Sequence, residues 1–138
     1  MMIFKSKHRA DRTAATTVEF AIVAPVFFLV LMAMFEFSRL NVLRHTADNA
    51  AYEAARVAMV PGATAADATA EAQRLMTVIG ARGTNVTINP ARITRDTNEV
   101  TVSVDVPLDR NGWVVPRFTR GRTLSSQATR RTERVRTR

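Results

Sequence analysis

The most constraining feature of the sequence is an apolar run near its N-terminus. From Phe20 to Phe35 the 16 residues carry no charged or hydrogen-bonding side chain, and the longer stretch from Val18 to Phe37 is interrupted only by Glu19 and Glu36. A helix that is apolar on all sides must be buried in a large protein or in lipid. A chain of 138 residues is too short to cover it. The run therefore predicts a transmembrane helix, although it falls slightly below the roughly 20 residues usually needed to span a bilayer.

Charge around this run predicts its orientation. Four basic residues precede it, at positions 5, 7, 9 and 12, whereas only Arg39 and Arg44 follow it closely. The positive-inside rule then keeps the N-terminus in the cytoplasm and places the rest of the chain outside it. Pro25 lies inside the span, where lipid-embedded helices tolerate proline, and we expect it to kink the helix. A cleaved secretory signal is the alternative, but the residues after the run lack its small-residue cleavage pattern.

Glu19 is an unusual residue at the start of an apolar run. An ionised carboxylate costs up to about 2.5–3.5 kcal/mol at the bilayer centre and less near the interface, so a partner is expected. If the chain were cut between Ala14 and Ala15, the new α-amino group would be mostly cationic at neutral pH. Ala15 and Glu19 are four residues apart and share one helix face. The amine could pair with Glu19 of the same chain or of an adjacent copy. An incidental interfacial carboxylate is the plain alternative.

The segment from Arg12 to Leu31, RTAATTVEFAIVAPVFFLVL, resembles the start of TadE-like pseudopilins, which are minor pilin-like components of tight-adherence (Tad/Flp) type IV pilus machinery. The likeness extends thinly through EFSR at Glu36–Arg39 and NAAYEAAR at Asn49–Arg56 to SQATRRTE at Ser126–Glu133. In that family a prepilin peptidase removes a basic leader, and a glutamate followed by an aromatic residue stands fifth in the mature chain.

The resemblance implies a role for particular residues here. Cleavage would fall between Ala14 and Ala15, and Glu19 with Phe20 would be the assembly and registration residues. Ala14 stands where such proteins commonly have glycine. The implied partners are the prepilin peptidase, other pilin or Tad assembly proteins and the membrane. The implied location is the bacterial inner membrane with the head in the periplasm, or the extracellular pilus after processing.

The rest of the chain predicts a small α+β head. Alanines from Ala47 to Ala58 recur every three or four residues, which indicates that the long helix continues through 38–60. Thr64 and Asp67 predict a helix cap, with the second helix running from Ala65 to Ile79, ending at Gly80 and burying five apolar residues. The members of that buried face would be Ala68, Ala72, Leu75, Met76 and Ile79.

Beyond this helix the apolar period changes to two, which is typical of strands with one wet face. The alternations at Val86–Ile88, Val100–Val106 and Leu124–Ala128 predict about three strands in a small antiparallel sheet. Asn111 and Gly112 predict a turn, and Trp113 is expected to cover the core or the edge of the sheet.

These elements give a fold class of α+β, pilin-like, with a long N-terminal transmembrane helix that continues into a head. The expected organisation is a leader at 1–14, a transmembrane helix at 15–37, its continuation at 38–60, a head at 61–133 and a basic tail at 134–138.

No constellation for catalysis or metal binding is visible. The chain has no cysteine, its two histidines are isolated, and no phosphate-binding loop occurs. We therefore expect no enzymatic activity, no metal and no cofactor. The net charge of +8 divides into +3 at residues 1–14, −2 at 15–116 and +7 at 117–138, so no nucleic-acid-binding face is expected on the folded part.

Two other functions stay open beside that of an assembly subunit. The chain could be an uncleaved single-pass membrane anchor, or it could bind an anionic partner through its arginine-rich C-terminal tail.

Overall fold

The computed structural model describes residues 7–94, 97–113 and 121–131, with side chains from residue 13 onward. The chain divides into two units, Met1–Phe35 and Glu36–Arg138, and each is described by itself. The described residues contain two α-helices followed by three strands, with a short 3-10 helix before the last strand. In chain order these elements are α1 Lys7–Ala58, α2 Ala65–Val78, β1 Asn85–Asn89, β2 Glu99–Pro107, the 3-10 helix Leu108–Arg110 and β3 Thr123–Arg131.

The first unit consists, in its described part, of the N-terminal half of α1. The helix is continuous through Pro25, so the expected transmembrane segment is a single helix. At the other end, α1 stops at Ala58, two residues before the expected boundary at residue 60. Residues 59–63 form hydrogen-bonded turns there, because Pro61 and Gly62 cannot continue the helix.

The alanine stripe of α1 is the inner face of the second unit. Seven residues along this half of the helix are at most 2% exposed: Leu43, Ala47, Ala50, Ala51, Ala54, Ala55 and Ala58. They form one core with the buried side chains of α2 and of the sheet. Small side chains let the helix axis approach the neighbouring layer closely, because little volume stands between the two backbones.

Helix α2 begins at Ala65, as predicted, and ends at Val78, one residue before the expected Ile79. The Thr64 hydroxyl accepts a hydrogen bond from the Asp67 amide, and the Asp67 carboxylate accepts one from the Thr64 amide, which is a capping box. At the other end the amides of Gly80 and Ala81 donate to the carbonyls of Thr77 and Met76. This is a Schellman ending, and Gly80 supplies its positive φ of 66°.

The buried face of α2 also follows the prediction. Ala68, Ala72 and Met76 are buried, and Leu75 and Ile79 are half-buried against the same core.

The sheet has the order β1-β2-β3, and both pairings are antiparallel. Its central strand β2 points Val100, Val102, Val104 and Val106 into the core, each with no exposed surface. On the opposite face, the Thr101 and Thr129 hydroxyls lie 2.9 Å apart across the β2–β3 pair. Because valine alternates strictly with polar residues along β2, one face of the sheet is apolar and buried and the other is polar. The expected α+β, pilin-like layout is therefore confirmed.

Candidate functional site

The N-terminal half of α1 presents apolar side chains that nothing in the described chain covers. Thirteen large apolar residues between Val18 and Phe37 are 41–74% exposed. The 20 residues of this stretch would extend about 30 Å as a helix, which matches the hydrocarbon thickness of a bilayer. This is the one helix among the described residues that is long and apolar enough to cross a membrane. It could therefore anchor the chain in lipid.

The expected cleavage and registration residues lie together on this segment. Ala14, Ala15, Glu19 and Phe20 are all helical and exposed, and Phe20 is 69% exposed. Ala15 and Glu19 are one helical turn apart on the surface of α1, as their spacing predicts. Cleavage between Ala14 and Ala15, and the roles of Glu19 and Phe20, stay predictions.

Glu19 has no partner of opposite charge in the described part of the chain. The ion pairs seen there join Glu53 to Arg56, Glu71 to Arg74 and Glu99 to Arg131, all in the second unit, Glu36–Arg138, which is called the head from here on. A carboxylate on an otherwise apolar helix surface is thus available to a group from outside this copy of the chain.

A second carboxylate of α1, Glu36, behaves quite differently. Its side chain is buried with 8% of the residue exposed, and its Oε2 accepts a hydrogen bond of 2.9 Å from the main-chain amide of Trp113. The loop approaches the helix closely at this point: a Cβ atom on Gly112 would lie 2.6 Å from Glu36 Oε1. Glycine at position 112 is what leaves room for the carboxylate.

Arg39, one turn further along α1, completes this contact between helix and loop. Its Nη1 donates 2.8 Å to the carbonyl of Ile79, and its guanidinium lies 5.6 Å from the centroid of the Trp113 ring. Trp113 itself is 69% exposed, so it is not part of the core; of the two expected positions, that at the edge of the sheet stays a prediction. Its main chain is fixed by Glu36, whereas its ring projects outward beside Arg39.

Asn111 fixes the start of the same loop and was predicted only as a turn residue. The Asn111 side chain is buried, with 3% of the residue exposed. Its Oδ1 accepts a hydrogen bond of 2.8 Å from the Arg82 amide. Its Nδ2 donates one of 2.9 Å to the Arg82 carbonyl and one of 2.8 Å to the Pro107 carbonyl. One side chain therefore ties the segment after β2 to the segment after α2, 29 residues away.

Two arginines of the basic C-terminal region belong to the head rather than to a free tail. Arg130 stacks over the ring of Tyr52 at 4.2 Å, and Arg131 pairs with Glu99 at 2.9 Å. The basic tail at 134–138 lies outside the described residues, as do Arg117 and Arg120.

The part of the chain that the structure describes offers no cluster of side chains suited to binding a metal ion. Within residues 7–94, 97–113 and 121–131, no group of three or more histidine, aspartate or glutamate side chains is placed to hold a metal ion. The expectation that the chain is not an enzyme stays a prediction.

The fold and this segment together define a class: a pilin-like α+β protein whose long N-terminal helix could cross a membrane. Residues 14–56 match the family model described as TadE-like protein. The expected resemblance to TadE-like proteins is thereby confirmed over these residues, which include the EFSR and NAAYEAAR segments but not Ser126–Glu133. The search of curated proteins and that of solved structures gave no match.

Proposed function

We propose that this chain is a non-catalytic pseudopilin, a minor pilin subunit that takes part in assembling a tight-adherence type IV pilus. A prepilin peptidase removes residues 1–14, and the mature chain begins at Ala15. The N-terminal helix holds the subunit in the inner membrane and then inserts into the pilus or its initiating complex. The head stands outside the cytoplasm throughout.

The observation that carries the proposal is the uncovered apolar surface of α1, with Glu19 near its start, inside the residues that match the TadE-like family. A surface of this size requires lipid or apolar protein around it, since water would penalise every exposed side chain. A pilus subunit meets both environments in turn, lipid before assembly and neighbouring helices after it. The same helix surface suits both.

Glu19 supports the assembly role through its charge. Its carboxylate lies on a helix surface otherwise made of apolar residues, where an ion without a partner is costly. The α-amino group released at Ala15 is the nearest cation that processing can supply, and it lies on the same helix face. If it pairs with Glu19 of an adjacent subunit, the two charges neutralise one another only when the two helices are in register.

In this proposal the head has no catalytic role and serves as a folded module that is exposed outside the cytoplasm. Its described residues form a core of small and branched apolar side chains, and its charged residues are mostly exposed, as expected for a folded module that packs beside its neighbours. The N-terminus is cytoplasmic and the head periplasmic in this proposal, in agreement with the positive charge before the span.

The first experiment is mass spectrometry of the membrane-extracted protein after co-expression with the matching prepilin peptidase. We expect a mature chain that begins at Ala15, and an uncleaved chain when the peptidase is catalytically inactive. A chain that still begins at Met1 beside an active peptidase would contradict the proposal and favour the uncleaved single-pass anchor.

A Glu19→Gln variant then tests registration separately from membrane insertion. We expect the variant to enter the membrane and yet to be lost from purified pili or from cross-linked assembly complexes. Glu53→Gln is the matched control, because it removes a carboxylate from the same helix within the head, where its exposed pair with Arg56 contributes little. Equal incorporation of the two variants would exclude a registration role for Glu19.

A further inference from the structure

The loop after β2 presents an exposed aromatic ring at a fixed place along α1. Trp113 is the only tryptophan in the chain, and its ring is 69% exposed. Its main-chain amide donates to Glu36 Oε2 at 2.9 Å, so residue 113 is held within hydrogen-bond reach of helix position 36. Glu36 directly follows Phe35, the last residue of the apolar run. Residue 113 is therefore held beside the helix position that directly follows the apolar run in the sequence.

A cation lies beside the ring, because the Arg39 guanidinium is 5.6 Å from the centroid of the indole. Phe37, which follows Glu36 on α1, is 74% exposed. The Arg39 side chain is anchored by its bond to the Ile79 carbonyl, so the cation beside the ring has a fixed position. An indole with a neighbouring cation is chemically suited to the headgroup region, where apolar carbon, water and phosphate meet.

The position of the loop does not depend on the ring. Asn111 fixes its start by three hydrogen bonds, and Gly112 allows the main chain to approach the Glu36 carboxylate. The exposed ring is therefore presented to the surroundings of the head from a fixed main-chain position. Membrane insertion of α1 would bring the bilayer surface to this level of the helix.

We propose that Trp113 lies in the membrane–water interface of the outer leaflet, with Arg39 near the lipid phosphates. The inference rests on the membrane insertion of α1 that the proposed function requires. The occupant is a phospholipid surface. The contact sets how far the helix enters the membrane and keeps the head against the bilayer until the subunit leaves it.

The sole tryptophan makes this directly measurable. The full chain is reconstituted in phosphatidylcholine vesicles, and insertion is checked independently by flotation and by resistance to alkaline extraction. We expect tryptophan emission to be blue-shifted relative to water-exposed indole and weakly quenched by acrylamide. Lipids brominated near the carbonyl end of the acyl chain should quench it more strongly than lipids brominated near the methyl end.

A matched control places the tryptophan elsewhere on the same head. In the Trp113→Phe/Val60→Trp variant the reporter lies just beyond Ala58, about 33 Å along the helix from Glu36, at a position that is 56% exposed. Its emission should resemble that of indole in water, and brominated lipids should not quench it. In a Glu36→Ala variant, which removes the acceptor of the Trp113 amide, acrylamide quenching of Trp113 should rise.

Three outcomes would count against the inference, and they separate it from the proposed function. Vesicles that contain the chain, shown by flotation, but leave Trp113 fully quenched by acrylamide would overturn the inference while the anchor stands. A blue shift that appears only at high protein-to-lipid ratio would assign the ring to a contact between copies and also overturn it. Failure of the chain to float with the vesicles would contradict membrane insertion itself.

Discussion

Replacing Ala51 with leucine is expected to destabilise the head by about 3 kcal/mol. The Ala51 side chain has no exposed surface and belongs to the core that α1 shares with α2 and the sheet. Leucine adds three carbon atoms at a point where the packed layers leave no space, and overpacking of this kind costs about 1–3 kcal/mol or more. We take the upper end because the helix backbone cannot retreat without moving the whole alanine stripe. Helix propensity contributes little, since alanine and leucine are both strong helix formers.

The measurable consequence is a lower melting temperature. For a domain of this size 1 kcal/mol corresponds to about 4–8 °C, so the melting temperature of the head should fall by roughly 12–24 °C. The assay is thermal unfolding of the full chain in mild detergent, followed by circular dichroism at a wavelength where the sheet contributes.

Asn49→Leu is the matched control, because it places the same side chain two positions away on the exposed face of the same helix. Surface substitutions of this kind usually change stability by less than about 0.5 kcal/mol. If Ala51→Leu melts within a few degrees of Asn49→Leu, the close packing described here is refuted.

The remaining predictions concern the cap of α2 and one aromatic contact. Thr64→Ala should lower the stability of the head by about 1 kcal/mol, measured by the same thermal unfolding, because it removes the N-cap acceptor. Hydrogen bonds from Thr64 hold the pKa of the Asp67 carboxyl below its ordinary value, so their stabilisation is fully present above the unfolded pKa of about 4. It is lost as the pH falls through the lower folded pKa, and a difference between Asp67→Asn and the native chain that stays constant into acid would contradict this. Tyr52→Ala should lower the free energy of unfolding of the head by about 0.5–1 kcal/mol, because it removes the ring under Arg130. Tyr52→Phe should lower it less, because it keeps the aromatic face. Equal losses of stability in the two variants would exclude the cation–π contact.

Regular periodicity explains why most of the fold could be predicted from the sequence. The alanine spacing of α1 and the valine alternation of β2 each repeat several times, so local pattern alone assigns the buried face. The Thr64 cap and the Gly80 ending are likewise local signals, and both were confirmed at the predicted residues.

The contacts that shape the head near position 36 could not be predicted in this way. Glu36 binds the amide of Trp113, 77 residues away, and Asn111 binds Arg82, 29 residues away. No local pattern encodes such pairs, because each depends on where two distant segments meet. One signal was present: a carboxylate between Phe35 and Phe37 would be costly beside lipid unless it turned toward a donor. That cost indicates a polar partner but does not identify it.

The uncovered half of α1 has a consequence for how a subunit could be released from the membrane. Its thirteen exposed apolar side chains, at about 1.5 kcal/mol or more each, amount to roughly 20 kcal/mol of contact with a nonaqueous neighbour. Thermal motion alone would almost never carry such a helix into water. In the proposed assembly role, departure from the bilayer is therefore an exchange, in which each stretch of helix leaves lipid only as another apolar surface replaces it.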